Sequence, residues 1–118
     1  AAIAALEKIA PQINEILWVT EIRAIAADDL WMSPHYQRDS IGIHFTWKKV
    51  DAVYEIVKVV EATLAPFVYR PHLGKVFSAT PDYFKSVMPK FDDFKNLVME
   101  IDTTNKFGNE FTNQLINR

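Results

Sequence analysis

The stretch that decides the fold is Ser40-Ile41-Gly42-Ile43-His44-Phe45-Thr46-Trp47-Lys48, in which polar and apolar residues alternate without a break. Successive side chains of a β-strand point to opposite faces, so this alternation predicts a strand with one wholly apolar face. That face consists of Ile41, Ile43, Phe45 and Trp47. His44, Thr46 and Lys48 then share the other face, which must look into water or a cavity because the apolar face packs on the protein.

A second strand is predicted just upstream, over residues 16–26, which are rich in β-branched and aromatic side chains. Glu21 and Arg23 are two residues apart in this segment. Period-2 geometry puts them on one face, about 7 Å from each other. The two segments together predict an antiparallel pair of strands that carries ionisable groups on its polar face.

Helices are predicted on either side of these strands. Residues 50–65 have an apolar stripe at helical spacing and end at Pro66. Thr80-Pro81 is a suitable N-cap and first residue for a helix through Met88. Further helices are predicted near the start of the chain and over residues 91–101. A short strand is predicted over residues 67–70. The fold class predicted is α+β, an antiparallel sheet with flanking helices.

Two further segments complete the predicted organisation. Residues 27–40 are expected to form a loop held by Trp31 and Met32 as buried anchors. The polar tail after Asp102 contains four large apolar residues, so it is expected to pack on the rest of the domain. Those four residues are Phe107, Phe111, Leu115 and Ile116.

Size and composition limit the classes of function. The chain has 118 residues, enough for one domain, and a net charge of −2, which gives no electrostatic reason to bind nucleic acid. It has no cysteine, so disulfides and thiolate chemistry are excluded and a cytoplasmic location is expected. No apolar run reaches the ~18 residues of a membrane span. The chain starts at Ala1 without a methionine, as expected of a piece of a longer polypeptide.

Each candidate functional residue has a simpler structural interpretation. Glu21 and Arg23 form either a surface ion pair or a hydrogen-bonding array for hydroxyl groups, which need both donors and acceptors. His44 is either a structural histidine or part of that array. Lys75, beside Gly74, is either a turn residue or a group that stabilises charge on a reacting hydroxyl. The three histidines are not spaced as metal ligands, so no metal site is predicted.

Five segments, in this order, carry a resemblance to a known family. They are Glu21-Ile22-Arg23, residues 28–34 (Asp-Asp-Leu-Trp-Met-Ser-Pro), His44-Phe45-Thr46-Trp47-Lys48, Arg70-Pro71-His72-Leu73-Gly74-Lys75 and residues 102–111. The chain resembles, over nearly its full length, the C-terminal substrate domain of alditol (xylitol) oxidases and D-arabinono-1,4-lactone oxidases, which are vanillyl-alcohol-oxidase-like flavoproteins. It departs from that family at Leu73, where many relatives have tryptophan, and at Thr103, where the closing segment usually has proline.

The resemblance implies a single substrate domain over residues 1–118, with the FAD-binding domain upstream and outside this chain. It implies that Glu21, Arg23, Thr46 and Lys75 bind the polyol and that Arg23, Lys75 and His44 take part in catalysis. His44 and Asn109 are candidate contacts to FAD. The implied reaction is oxidation of a terminal CH–OH by O2, giving an aldose and hydrogen peroxide.

Two alternatives stay open: a sugar-1,4-lactone oxidase domain of the same family, and a non-catalytic α+β interaction module. The second would scatter the polar side chains over different faces and form no cavity. This chain alone is expected to be inactive. It is also expected to form a dimer, because the surface that would face the flavin is exposed.

Overall fold

A long antiparallel hairpin dominates one half of the computed structural model, which describes all residues 1–118. Strand β1 spans Leu17–Ile25 and strand β2 spans Ser40–Trp47, joined by a loop over residues 26–39. The register sets Glu21 opposite His44 and Arg23 opposite Gly42, with an irregularity between Leu17 and Val19. Both predicted strands are therefore confirmed.

Six helices accompany the hairpin, which confirms the α+β class. They are α1 (Ala2–Lys8), α2 (Ala10–Ile13), α3 (Ala52–Leu64), α4 (Pro81–Val87), α5 (Phe91–Ile101) and α6 (Glu110–Ile116). A short 3₁₀ turn, Ala65–Phe67, follows α3. The longest helix, α3, has 13 residues, and none combines the length and apolar character that crossing a bilayer requires.

The hairpin packs on α3 through its apolar face. Leu6, Ile13 and Val60 are the buried centre of this first cluster. Ile43, Phe45 and Trp47 lie against it, as the alternating pattern of β2 predicts. Ile41, the fourth residue of that face, does not pack against this cluster and is 59% exposed. The hairpin therefore projects past the core that supports it.

A second, separate cluster lies between the three C-terminal helices. Its buried residues are Phe84, Val87, Met88, Phe91, Leu115 and Ile116. α4 begins where the sequence predicts, because the Thr80 side chain accepts a hydrogen bond of 3.2 Å from Tyr83 N and Pro81 opens the first turn. The tail packs here as predicted through Leu115 and Ile116, whereas Phe107 remains 78% exposed.

The short strand predicted over residues 67–70 does not form. Val68 adopts the left-handed conformation, with φ of 53°, and no third strand is available to pair with this segment. Instead, Arg70 donates to the backbone carbonyls of Pro34, Tyr36 and Val87. This arginine ties the long hairpin loop to the end of α4, and the segment gains side-chain hydrogen bonds in place of a ladder.

One of the two buried anchors predicted for the loop over residues 27–40 is confirmed. Met32 packs against the second cluster, but Trp31 is 39% exposed, under the Lys90 ammonium. Tyr36 is the buried aromatic residue of this loop, at 8% exposure. Arg70 donates a hydrogen bond of 2.9 Å to the Tyr36 carbonyl, a contact between residues 34 positions apart.

Candidate functional site

The polar face of the hairpin brings Glu21, Arg23 and His44 into direct contact. Glu21 Oε1 accepts a hydrogen bond of 3.0 Å from Arg23 Nη2, and Glu21 Oε2 lies 2.9 Å from His44 Nδ1. A carboxylate can only accept, so Nδ1 carries the hydrogen. The strand register produces this cluster, because residues two apart on β1 share a face with the residue opposite them on β2. We call these three residues the hairpin cluster.

The hairpin cluster keeps Glu21 ionised. The hydrogen bond from His44, followed by the hydrogen bond and positive charge of Arg23, lowers the pKa of Glu21 below its ordinary value. The three side chains are 39–65% exposed, so the array is open to a ligand. Arg23 keeps further N–H groups free, and His44 Nε2 has no partner within the chain. The cluster therefore offers a carboxylate acceptor and several donors side by side.

Thr46 continues the same face. It stands two residues beyond His44 on β2 and opposite Val19 of β1. Its hydroxyl makes no hydrogen bond within the chain, so it can both donate to and accept from a ligand. With Thr46, the face presents four polar side chains along two strands, as the sequence predicts.

Lys75 lies on a different part of the molecule. It ends a turn in which Lys75 N donates to His72 O and Gly74 N donates to His72 Nδ1, both at 3.0 Å. Leu73 anchors this turn to the second cluster of the core. The Lys75 ammonium makes no hydrogen bond or ion pair, and no contact joins it to the hairpin cluster. Of the five residues predicted to bind or oxidise the polyol, the structure thus assembles four on one face and leaves Lys75 on a separate exposed turn.

Asn109 is occupied by a structural role. Its side chain accepts a hydrogen bond of 2.9 Å from Thr112 N, while Asn109 N donates to Thr112 Oγ1 at 2.9 Å. This reciprocal arrangement is a capping box that starts α6. The side-chain oxygen that a cofactor contact would use is already engaged.

Comparison with known proteins adds to this geometry. A sequence model of the D-arabinono-1,4-lactone oxidase family matches residues 1–115. The chain belongs to this oxidase family. It is 35% identical over 116 residues to an alditol oxidase from a Streptomyces species, covering 98% of this chain and 28% of that protein. It is also 28% identical over 95 residues to the L-gulonolactone oxidase of Mus musculus, covering 77% of this chain and 22% of that protein. The chain spans less than a third of the length of either relative.

This chain of the D-arabinono-1,4-lactone oxidase family does not provide a binding site for a whole FAD molecule. A dinucleotide needs backbone N–H groups that approach its phosphates closely, usually in a glycine-rich loop before a helix. The three glycines here lie far apart, at Gly42, Gly74 and Gly108, and none belongs to such a loop.

The structure also brings together a group of polar residues that no sequence pattern predicts. Glu61 of α3 accepts hydrogen bonds from the backbone N–H and the hydroxyl of Ser78. It lies in a shallow recess of about 280 Å³ that is also lined by Tyr69 and Tyr83, whose rings stack with centroids 4.7 Å apart. Burial, followed by the charge of Glu61, raises the pKa of Tyr83 to about 12. No short-range spacing signals this group, because Glu61 and Ser78 are 17 residues apart.

Proposed function

We propose that this chain is the substrate-binding domain of an FAD-dependent oxidase that oxidises the terminal CH–OH of a sugar alcohol with O2. The reaction converts R–CH2OH and O2 into R–CHO and H2O2. The observation that carries the proposal is the hairpin cluster, in which Glu21 binds both Arg23 and His44 on one open strand face. Membership of an oxidase family and 35% identity to an alditol oxidase support it.

The chemistry of the face suits a polyol. Each hydroxyl of a sugar alcohol donates one hydrogen bond and accepts others. Glu21, held as a carboxylate, accepts from one hydroxyl, while the free N–H groups of Arg23 donate to the oxygen of the next. The hydroxyl of Thr46 serves either purpose. Because these groups lie on paired strands, they hold the reacting carbon in a defined position. A defined position accelerates hydride transfer from that carbon.

Oxidation of the terminal carbon removes a hydride from carbon and a proton from oxygen. When bound, FAD would supply the two-electron acceptor for the hydride, and O2 would be the final oxidant, reduced to H2O2. We assign stabilisation of the substrate oxygen to Arg23 and removal of its proton to Lys75 or His44. His44 has the advantage of position, since it already lies in the hairpin cluster with Nε2 free. Lys75 needs the polyol, or the rest of the oxidase, to bring it close.

A second candidate is a sugar-1,4-lactone oxidase, favoured by the name of the matching family and by the similarity to L-gulonolactone oxidase. In both cases the FAD-binding part belongs to polypeptide outside residues 1–118, so this chain alone is expected to be inactive. We also propose a cytoplasmic location, in keeping with a chain that has no cysteine.

The test is peroxide release under air by the flavin-loaded polypeptide that carries this chain, offered xylitol, sorbitol and sugar lactones. Peroxide with the alditols supports the proposal, and peroxide with lactones alone supports the second candidate. Absence of peroxide with every substrate contradicts both.

Replacing Arg23→Ala tests the role of the hairpin cluster. We expect kcat/KM for the alditol to fall by about 10- to 100-fold, because one charged hydrogen bond to the substrate oxygen is lost. Lys58→Ala is the matched control, since it removes an exposed cation from α3 and should leave turnover unchanged. An Arg23→Ala enzyme with unchanged kcat/KM would rule out the role assigned to Arg23.

A further inference from the structure

Gly42 lies on the polar face of the hairpin, directly opposite Arg23. Glycine weakens the interior of a strand, because it loses much backbone freedom on folding and has no side chain to pack. Its presence within β2 therefore needs an explanation. Backbone conformation does not provide one, since no glycine of the chain has a positive φ. The explanation is the space above this residue.

The side chain of Ile25 occupies the space above Gly42. Ile25 shares the polar face with Arg23, two residues away on β1, and pairs with Ser40. Gly42 is therefore its diagonal neighbour on β2. A Cβ atom added to Gly42 would lie 2.8 Å from Ile25 Cδ1, well inside the ~3.5–4.0 Å of an ordinary carbon–carbon contact. The missing side chain of Gly42 thus allows Ile25 to extend across the two strands.

This contact gives the polar face an apolar end. The face runs along the strands from Thr46 to Arg23, and Ile25 then follows on β1. Ile25 belongs to neither cluster of the core, so core packing does not account for its position. Its contact with Gly42 joins two residues of this chain and does not depend on polypeptide outside residues 1–118. The polar groups therefore stop at an apolar side chain beside Arg23.

We propose that Ile25, lying over Gly42, makes the oxidase select a terminal hydroxyl of its polyol. The inference rests on the proposed function, in which Arg23 binds the oxygen of the reacting hydroxyl. A terminal carbon carries the polyol chain on one side only, and that chain extends over His44 towards Thr46. An internal carbon carries chain on both sides, and its second arm would clash with Ile25. A clash with the unwanted arrangement is an effective source of specificity.

The two positions of oxidation give different products. Oxidation of xylitol by O2 at the terminal carbon gives an aldose and H2O2, whereas oxidation at an internal carbon gives a ketose and H2O2. In both cases one hydride leaves carbon and one proton leaves oxygen, so the same oxidant serves. The ratio of ketose to aldose therefore measures the selection of the carbon separately from the rate. A residue that only supports the fold would change the rate and leave this ratio unchanged.

Replacing Ile25→Ala in the flavin-loaded polypeptide that carries this chain tests the inference, with the products from xylitol separated by chromatography. We expect the ketose share to rise at least about tenfold, because the side chain that rejects the second arm is shortened. Ile25→Val removes only the methyl group that lies over Gly42, and it should shift the ratio in the same direction by less. Ile41→Ala is the matched control. It makes the same truncation on the opposite face of β2 and should leave the ratio unchanged.

A second substitution tests the place of Gly42 in this selection. In the Ile25→Ala background, Gly42→Ala puts a methyl group 2.8 Å from the position that Ile25 Cδ1 occupies in the wild type. This methyl group refills part of the space, so the double variant should return the ketose share towards the wild-type value. A double variant with the same ketose share as Ile25→Ala alone would show that selection does not occur above Gly42.

Failure of this inference is distinguishable from failure of the proposed function. A wild-type enzyme that oxidises xylitol, with a product ratio that Ile25→Ala does not change, would overturn the inference and leave the proposed function intact. A wild type that makes mainly ketose, or an equal shift in Ile41→Ala, would also overturn the inference alone. A flavin-loaded wild type that releases no peroxide from xylitol would contradict both.

Discussion

At the scale of single residues, Glu21 is the group whose properties depend most on its neighbours. Its two oxygens are bound by different partners, His44 on one side and Arg23 on the other. Both interactions favour the charged carboxylate, and the hydrogen bond from His44 is the largest single cause of the lowered pKa, followed by the hydrogen bond and charge of Arg23. A carboxylate with this arrangement accepts hydrogen bonds at neutral pH and does not donate a proton.

The pKa of Glu21 can be measured by following its side-chain carbonyl in an NMR titration. We expect the wild-type pKa below the ordinary glutamate value and expect His44→Ala to raise it towards that value. Since the folded-state pKa is the lower one, the cluster stabilises the fold above the unfolded-state pKa, and this contribution is lost as the pH falls through the folded-state pKa. His72→Ala, a histidine outside the cluster, should leave the pKa of Glu21 unchanged. An ordinary pKa in the wild type would contradict the hydrogen bonds described here.

At the scale of elements, Asp102 connects α5 to α6. It is 8% exposed, and its carboxylate accepts hydrogen bonds of 2.7 and 3.0 Å from Lys106 N and Phe107 N. The guanidinium of Arg118, at the end of the chain, lies 3.6 Å from the same carboxylate. One side chain thus shapes the turn between two helices and fixes the segment after the second.

Replacing Asp102→Ala should lower the free energy of unfolding by about 2–4 kcal/mol. The change removes the charged acceptor of two backbone N–H groups and leaves the nearly buried Arg118 guanidinium without its carboxylate. Urea denaturation followed by circular dichroism measures the difference. Asp92→Ala makes the same chemical change in α5 but breaks only an exposed pair with Lys85, so it should cost less than about 1 kcal/mol. Equal losses for the two variants would show that Asp102 does not have this connecting role.

At the scale of the whole molecule, the core is divided. The radius of gyration is 15.7 Å, whereas a compact domain of this length would have about 13.5 Å. The first cluster holds the hairpin on α3, and the second holds α4, α5 and α6 together. Arg70 and Glu61 supply polar connections beside these clusters. A divided core predicts that the two halves open separately.

Replacing Val60→Ala tests this division. The loss of two buried methyl groups from the first cluster should destabilise it by about 1–2 kcal/mol. Hydrogen exchange of the amides in α3 and the hairpin should accelerate about 5- to 30-fold, while exchange in α4–α6 stays unchanged. Met88→Ala, in the second cluster, should give the reverse pattern. Uniform acceleration across the chain in either variant would mean that the domain unfolds as one unit.

The sequence by itself determined the elements whose signals are local. The alternation over residues 40–48 specified both the strand and the face that packs on α3, and Thr80-Pro81 specified the start of α4. It also put Glu21 and Arg23 on one face, and His44 and Thr46 on one face of the other strand. These predictions succeed because period-2 and period-3.6 patterns depend on backbone geometry over a few residues.

Only the tertiary structure decided which of these faces meet and what surrounds them. It joined His44 to Glu21 through the strand register and left Lys75 on a separate turn. The strand predicted over residues 67–70 does not form, and hydrogen bonds from Arg70 hold that segment instead. The tertiary structure also buried Tyr36 in place of Trp31 and brought Ser78 to Glu61. The contacts made by His44, Arg70 and Glu61 join residues from 17 to 36 positions apart. Such contacts depend on how whole elements pack, and no local pattern along the chain encodes them.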